Sequence, residues 1–143
     1  MFLSKFDEYK KQNFLKLVAI IVLDDSKNIL TNNKLLQDLI DESGIDTLVD
    51  DLVEQSKDIN AFFNDDTDEF REEILDIIDD IDIKFYLEAN MYIQADSLNP
   101  KNILIKEIMQ EKLKASNEVI ELCDNWSLNM TNYSLILNKI IDR

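Results

Sequence analysis

Gly44 is the only glycine in this chain and Pro100 the only proline. A sheet protein of 143 residues needs many tight turns, and those turns call for residues that tolerate positive φ or hold φ fixed. Two such residues cannot supply them. The chain is therefore expected to be all-α, a single domain over residues 1–143 built from five to six helices with few loops. Apolar residues make up 45% of it, too many for an acidic disordered tail and enough to bury a core.

Periodicity places the helices. A first helix from about Ser4 to Leu23 starts amphipathic at Phe6, Tyr9 and Phe14 and becomes apolar nearly all round, as a helix running into a core does. Thr31 or Asn32 is expected to cap a second, with Leu35, Leu36, Leu39 and Ile40 on one face and Gly44 as a left-handed C-terminal cap. Asp46 or Thr47 opens a third, with Leu48, Leu52, Ile59 and Phe63 inward, ending near Asn64. Thr67 caps a fourth, in which Phe70, Ile74, Ile77, Ile78, Ile81 and Phe85 recur at steps of three and four. The pattern continues through Ile93 as one rod, acidic in its first half and central to the bundle in its second. Asn99 and Pro100 read as N-cap and first position of a fifth helix that reaches Ile120 or Leu122. A break over Ser127 to Thr131 and a short last helix from Tyr133 to Ile141 complete the reading.

The charge is local. Between Asp38 and Asp82 stand eighteen Asp and Glu residues against Lys57 and Arg71, a net of −16, while the whole chain carries −15. Residues 1–37 sum to +2 and residues 83–143 to −1. A single-signed field of this kind repels nucleic acid and anionic membrane and attracts basic surfaces. From Asp68 to Asp82 a continuous helix would be about 21 Å long, with one carboxylate per ~2.6 Å of axis against ~3.4 Å per phosphate along a B-DNA strand. Solubility alone is served by mixed charge spread over every surface, so concentration on the third and fourth helices favours recognition.

The chemistry is sparse. The chain has no histidine, the usual general base near neutral pH and a common metal ligand. Cys123 stands alone on an apolar stretch with neither a His partner nor a basic neighbour, so it reads as core, and no disulfide can form within the chain. Carboxylate pairs are so abundant that their spacing carries little information, and they read first as a solvated face. Two windows, Asp24 to Leu35 and Asn64 to Leu75, place oxygens as a calcium loop does but lack its glycine at position six and glutamate at position twelve. Neither cofactor nor metal is expected, and the protein is read as non-enzymatic. Val18 to Ser26, with Asp24 and Asp25, resembles the first strand and acidic pair of bacterial response-regulator receivers. The likeness covers nine residues. The phospho-accepting Asp, the Lys and the glycine- and proline-bearing turns of a receiver have no counterpart.

The N-terminus lacks the charge pattern and cleavage site of a secretory signal, and the longest apolar run, Phe14 to Leu23, is broken by Lys16 at half the length of a membrane span. A cytoplasmic location is expected, and the sequons at Asn125, Asn129 and Asn132 are read as chance.

The expected function is binding of a basic protein, a nuclease or other nucleic-acid-binding protein. The expected contact residues are Asp50, Asp51, Glu54, Asp58, Asp65, Asp66, Asp68, Glu69, Glu72, Glu73, Asp76, Asp79 and Asp80. In charge, size and helicity the chain resembles the immunity proteins with which toxin-producing bacteria inhibit their own nucleases, and that is the preferred reading. It also resembles phage proteins that mimic nucleic acid and block restriction or CRISPR effectors. A structural helical module whose acid meets only water is the third reading. No direct contact with nucleic acid or membrane is expected, and a homodimer is compatible with each reading. Trp126, beside Leu122 and Leu128, reads as core packing before interface anchor.

Overall fold

The computed structural model describes residues 2–23 and 29–141, and side-chain environments for 2–23 and 32–132. A 3-10 turn, Leu3–Lys5, leads into α1 (Glu8–Val22), α2 (Ile29–Ser43), α3 (Val49–Asp65), α4 (Thr67–Ile77), α5 (Ile83–Gln94), α6 (Pro100–Leu113) and α7 (Asn117–Ile141). The described residues are all-helical, with seven α-helices rather than five to six. The strand of the receiver resemblance is absent, because Val18–Val22 is the end of α1. Asp24 and Asp25, the first calcium-loop window's opening residues and the side chains of Leu135, Ile136, Ile140 and Ile141 lie outside the described residues.

Two helices form the centre. α1 packs against α2, α3, α4 and α5, while α5 also meets α6 and α7. Asp7 caps α1 by accepting from the Lys10 N–H at 2.8 Å, which starts the helix one turn later than Ser4. From Phe14 to Ile21 every residue of α1 except Lys16 is buried. Phe14 meets Phe85 of α5 edge-on at 5.5 Å, and Phe6 stacks on the same ring at 6.1 Å. Each such side chain contributes roughly 1.5–3 kcal/mol on burial.

The last carbonyls of α1 would be orphaned, and three side chains from other helices satisfy them. Lys101 of α6 donates to Ile20 O at 2.5 Å and Leu23 O at 3.3 Å, Asn60 of α3 to Leu23 O at 2.9 Å, and Asn32 of α2 to Val22 O at 2.8 Å. Lys101 is almost fully buried, and its cation sits at the negative end of the α1 dipole.

Gly44, at φ +74°, closes α2 with its N–H on Ile40 O, as its lone position suggested. α2 begins at Ile29, so Thr31 and Asn32 lie within its first turn and do not cap it. α3 begins at Val49 behind an exposed Leu48, which the pattern had placed inward. The α4 cap is Asp66 rather than Thr67, its carboxylate accepting from the Glu69 N–H at 3.2 Å.

The expected fourth rod is two helices. α4 stops at Ile77, and Asp82, in extended backbone, caps α5 by accepting from the Phe85 N–H at 2.9 Å. The break leaves Asp76 in the last turn of α4, at the negative end of its dipole, but hands Asp82 to the positive end of the next helix, where its carboxylate satisfies an otherwise orphaned N–H. The expected break over Ser127 to Thr131 is absent. Ser127 Oγ donates to Leu87 O at 3.1 Å, and Thr131 Oγ1 reaches Met91 O at 3.3 Å and Ser127 O at 2.9 Å, so these hydroxyls tie α7 to α5. The break lies at Lys114, left-handed at φ 54°, and Ser116 Oγ accepts from the Val119 N–H at 3.3 Å.

Candidate acidic surface and cleft

α3 and α4 fold back on each other through Asp66, held by the Phe63–Phe70 edge contact at 5.4 Å. Leu52 and Ser56 from α3, and Phe70, Ile74 and Ile77 from α4, are buried, and Val49, Val53, Ile59, Phe62, Phe63 and Leu75 pack half-buried against the core. Most of their exposed positions carry acid. Asp50, Asp51, Glu54, Asp58, Asp65, Asp68, Glu72 and Asp76 are exposed, while Glu69 and Glu73 are half-buried. Among the described residues none of these ten makes an ion pair within 4 Å. Arg71 reaches away from them to Glu111 of α6 at 3.3 Å.

Three sequence-predicted residues have other duties. Asp66 caps α4. Asp79 accepts from the exposed Tyr9 hydroxyl through both oxygens, at 3.0 and 2.9 Å. Asp80 lies 3.8 Å from Lys10 Nζ, which pairs with Asp82 at 2.8 Å. These contacts fasten the α4–α5 link to the first turn of α1. Burial opposes the charge on Lys10 and on Asp82, yet their mutual hydrogen bond and attraction win, raising the lysine's pKa and lowering the aspartate's. Glu69 is different: burial and then Glu73, Asp66 and Asp76 push its pKa up.

Asp58 of α3 and Glu73 and Asp76 of α4 converge on one cleft of about 380 Å³, whose other lining residues are Asn13, Lys16, Gln55, Ile59, Phe62 and Ile77. Asp50 and Asp51 stand in the first turn of α3, outside that cleft, where the helix dipole favours them. Sequence reasoning missed Asn13, Gln55 and Phe62. The signal that could have found one side of the cleft is Lys16, the single charge interrupting the apolar run of α1, with Asn13 one turn before it on the same face.

A second polar cluster lies among α5, α6 and α7. Asp124 of α7 accepts from the Tyr86 hydroxyl and Asn90 Nδ2, both at 2.9 Å and both from α5, and pairs with Lys106 of α6 at 3.1 Å. Gln110 Nε2 donates to the Tyr86 oxygen at 3.1 Å. Burial, Asp124 and the neighbouring groups hold the Tyr86 hydroxyl firmly protonated, although Gln110 works the other way. Cys123 is buried beside them, its thiol pushed up by burial and by Asp124. Trp126 is half-buried and stacks on Phe2 at 6.1 Å.

No group of three or more Cys, Asp or Glu residues among those described is arranged to hold a metal ion, and no described helix is long and apolar enough to cross a membrane. No family model, curated protein or solved structure matches the chain.

Proposed function

We propose that the protein is a non-enzymatic, cytoplasmic binding protein that inhibits a basic nucleic-acid-acting protein, as an immunity-type inhibitor of a nuclease toxin. The supporting observation is the ten carboxylates of α3 and α4, exposed or half-buried and without an ion pair among the described residues. Like charges three and four positions apart each cost the free helix a few tenths of a kcal/mol. A basic surface converts that repulsion into attraction, so the free protein is destabilised where the complex gains. Long-range attraction also accelerates encounter, which suits an inhibitor that must meet a toxin before the toxin meets nucleic acid.

The break at Ile77 favours this reading over nucleic-acid mimicry. It leaves α4 with 11 residues, about 16 Å of axis. The acid is therefore divided between two successive helices and does not follow one long strand-like line. A broad protein surface can meet both helices at once.

The test is the quadruple variant Glu69→Gln, Glu72→Gln, Glu73→Gln, Asp76→Asn compared with wild type in a pull-down from the native host's lysate at low and high salt. A stoichiometric basic nuclease, inhibited in a cleavage assay and lost with the variant, is expected. Retention by the variant with helical circular dichroism intact would sink the proposal, and release of the partner by added DNA would replace it with mimicry.

A further inference from the structure

Apolar exposure gathers where the charge does not. Among the described residues the exposed large apolar side chains before residue 83 are Tyr9 and Leu48, whereas Ile83, Leu98, Ile103, Val119, Leu122 and Leu128 stand in the segment whose charges sum to −1. Every copy of the chain carries −15, nearly all of it from residues 38–82, so two copies repel wherever those acids approach each other. The near-neutral segment is where they can meet.

α7 is the least covered element there. It has 25 residues, about 37 Å of axis, and packs chiefly on α5, whose 12 residues span about 18 Å. Its inner side is Cys123, Ser127 and Thr131, the first two buried and the hydroxyls tied to Leu87 O and Met91 O. Beside that inner side Val119, Leu122, Trp126 and Met130 recur at steps of three and four. Leu122 is 69% exposed and Val119 37%, and Trp126 and Met130 are half-buried. In sequence Tyr133, Leu137 and Ile140 continue the same steps to the last turn.

We infer that this stripe is covered by a second copy of the chain, in a two-fold dimer whose α7 helices run antiparallel. The stripe is self-complementary under that symmetry. Turned end for end about position 130, it brings position 119 level with 140, 122 with 137 and 126 with 133, all of them apolar or aromatic. Charge selects the same direction. Glu118 and Glu121, exposed and without an ion pair among the described residues, stand near the positive end of α7. The antiparallel arrangement sets them beside the negative end of the other α7, the turn of the chain that carries Lys139. Parallel helices would instead set the acids of both copies side by side.

A contact about 37 Å long and ~10 Å wide on each copy falls below the roughly 1,200–2,000 Å² in total of a standard interface. The dimer is therefore a weak one, with a dissociation constant of about 10–100 µM. Trp126, half-buried and already held by its stack on Phe2, is a rigid aromatic anchor at little cost in ordering.

The experiment is sedimentation equilibrium of the full chain from about 5 to 500 µM at about 150 mM salt, with iodide quenching of Trp126, the single tryptophan, at each concentration. A monomer–dimer equilibrium is expected, with quenching that falls as the dimer fills. Leu122→Lys should weaken association at least ~10-fold with helical circular dichroism unchanged, because that side chain is 69% exposed. Leu128→Lys, the same change at an exposed leucine on another face of α7, should alter it less than ~2-fold. Asn129→Cys, beside the two-fold axis, should form a disulfide between copies on oxidation, since Cys123 is buried and does not compete. Asn117→Cys, about 18 Å from that axis along the helix, should not. A monomer at every concentration, equal effects of the two lysine substitutions, or a dimer with unchanged Trp126 quenching would overturn the assignment and leave the stripe to a different chain. Linkage through Asn117→Cys, or none through Asn129→Cys in a dimer, would overturn the antiparallel arrangement.

Discussion

Asp76 and Asp124 are the same residue type in opposite circumstances. Asp76 stands exposed on α4 with no ion pair among the described residues, while Asp124, half-buried on α7, takes two hydrogen bonds and a lysine. The pair α3 and α4 turns its carboxylates outward and its apolar residues onto the core. The assembly of α5, α6 and α7 turns its polar groups inward and satisfies most of them around a continuous core. An unpaired charge on the surface keeps its water and is available to a partner, whereas a paired charge inside fixes helices relative to each other and is available to nothing else. One half of the chain is organised for stability and the other gives some stability up.

The largest expected effect breaks the stable half. Asp124→Ala strips partners from Tyr86, Asn90 and Lys106 together, and should cost about 3 kcal/mol in urea unfolding. Removing the same group from the acidic half should have the opposite sign, which makes the comparison sharp. The quadruple neutralisation of Glu69, Glu72, Glu73 and Asp76 should stabilise by roughly 1 kcal/mol, the sum of several like-charge pairs, and raise the thermal midpoint by about 3 °C. A lower midpoint would show that these carboxylates support the fold. Asn13→Leu should also stabilise, by roughly 1 kcal/mol, because it replaces an unpartnered buried amide with an apolar side chain.

The smallest effect is the pH dependence. Glu69, whose pKa is raised, holds its proton more readily folded than unfolded, so stability should rise as pH falls from neutral toward its folded pKa. Asp82, whose pKa is lowered, contributes above its unfolded value near 4 and loses that contribution as pH falls through its lower folded value. Lys10, raised, contributes below its unfolded value and loses that only as alkali passes the folded one. The midpoint should therefore pass through a shallow maximum on the acid side of neutral in calorimetry. Lys10→Met should flatten its acid limb by less than about 1 kcal/mol, since the Asp82 side chain is 48% exposed.

Fold class, the caps at Asn99 and Gly44 and the burial of the second half of α1 were legible in the residues, because each follows from local stereochemistry or from period. So was the placement of acid on the outer sides of α3 and α4, since charges avoid cores. The boundaries at Ile77, Lys114 and Ser127 to Thr131 were not. Asp82 can cap a helix or lie within one, and Ser127 can end one or tie it to a neighbour. The choice depends on Lys10 lying against Asp82 and on Leu87 O being within reach of Ser127.

The sequence by itself determined an all-helical chain with its charge gathered in one segment, because missing turn formers and charge placement act within a few residues. Only the tertiary structure decided which acids are occupied and which are left unpaired. Tyr9 and Lys10 reach Asp79 and Asp82 across some seventy residues. Asp58, Glu73 and Asp76 come to share a cleft with Asn13 of another helix. Such pairings depend on distance in space, and a periodic pattern along one helix carries no information about which other helix will face it.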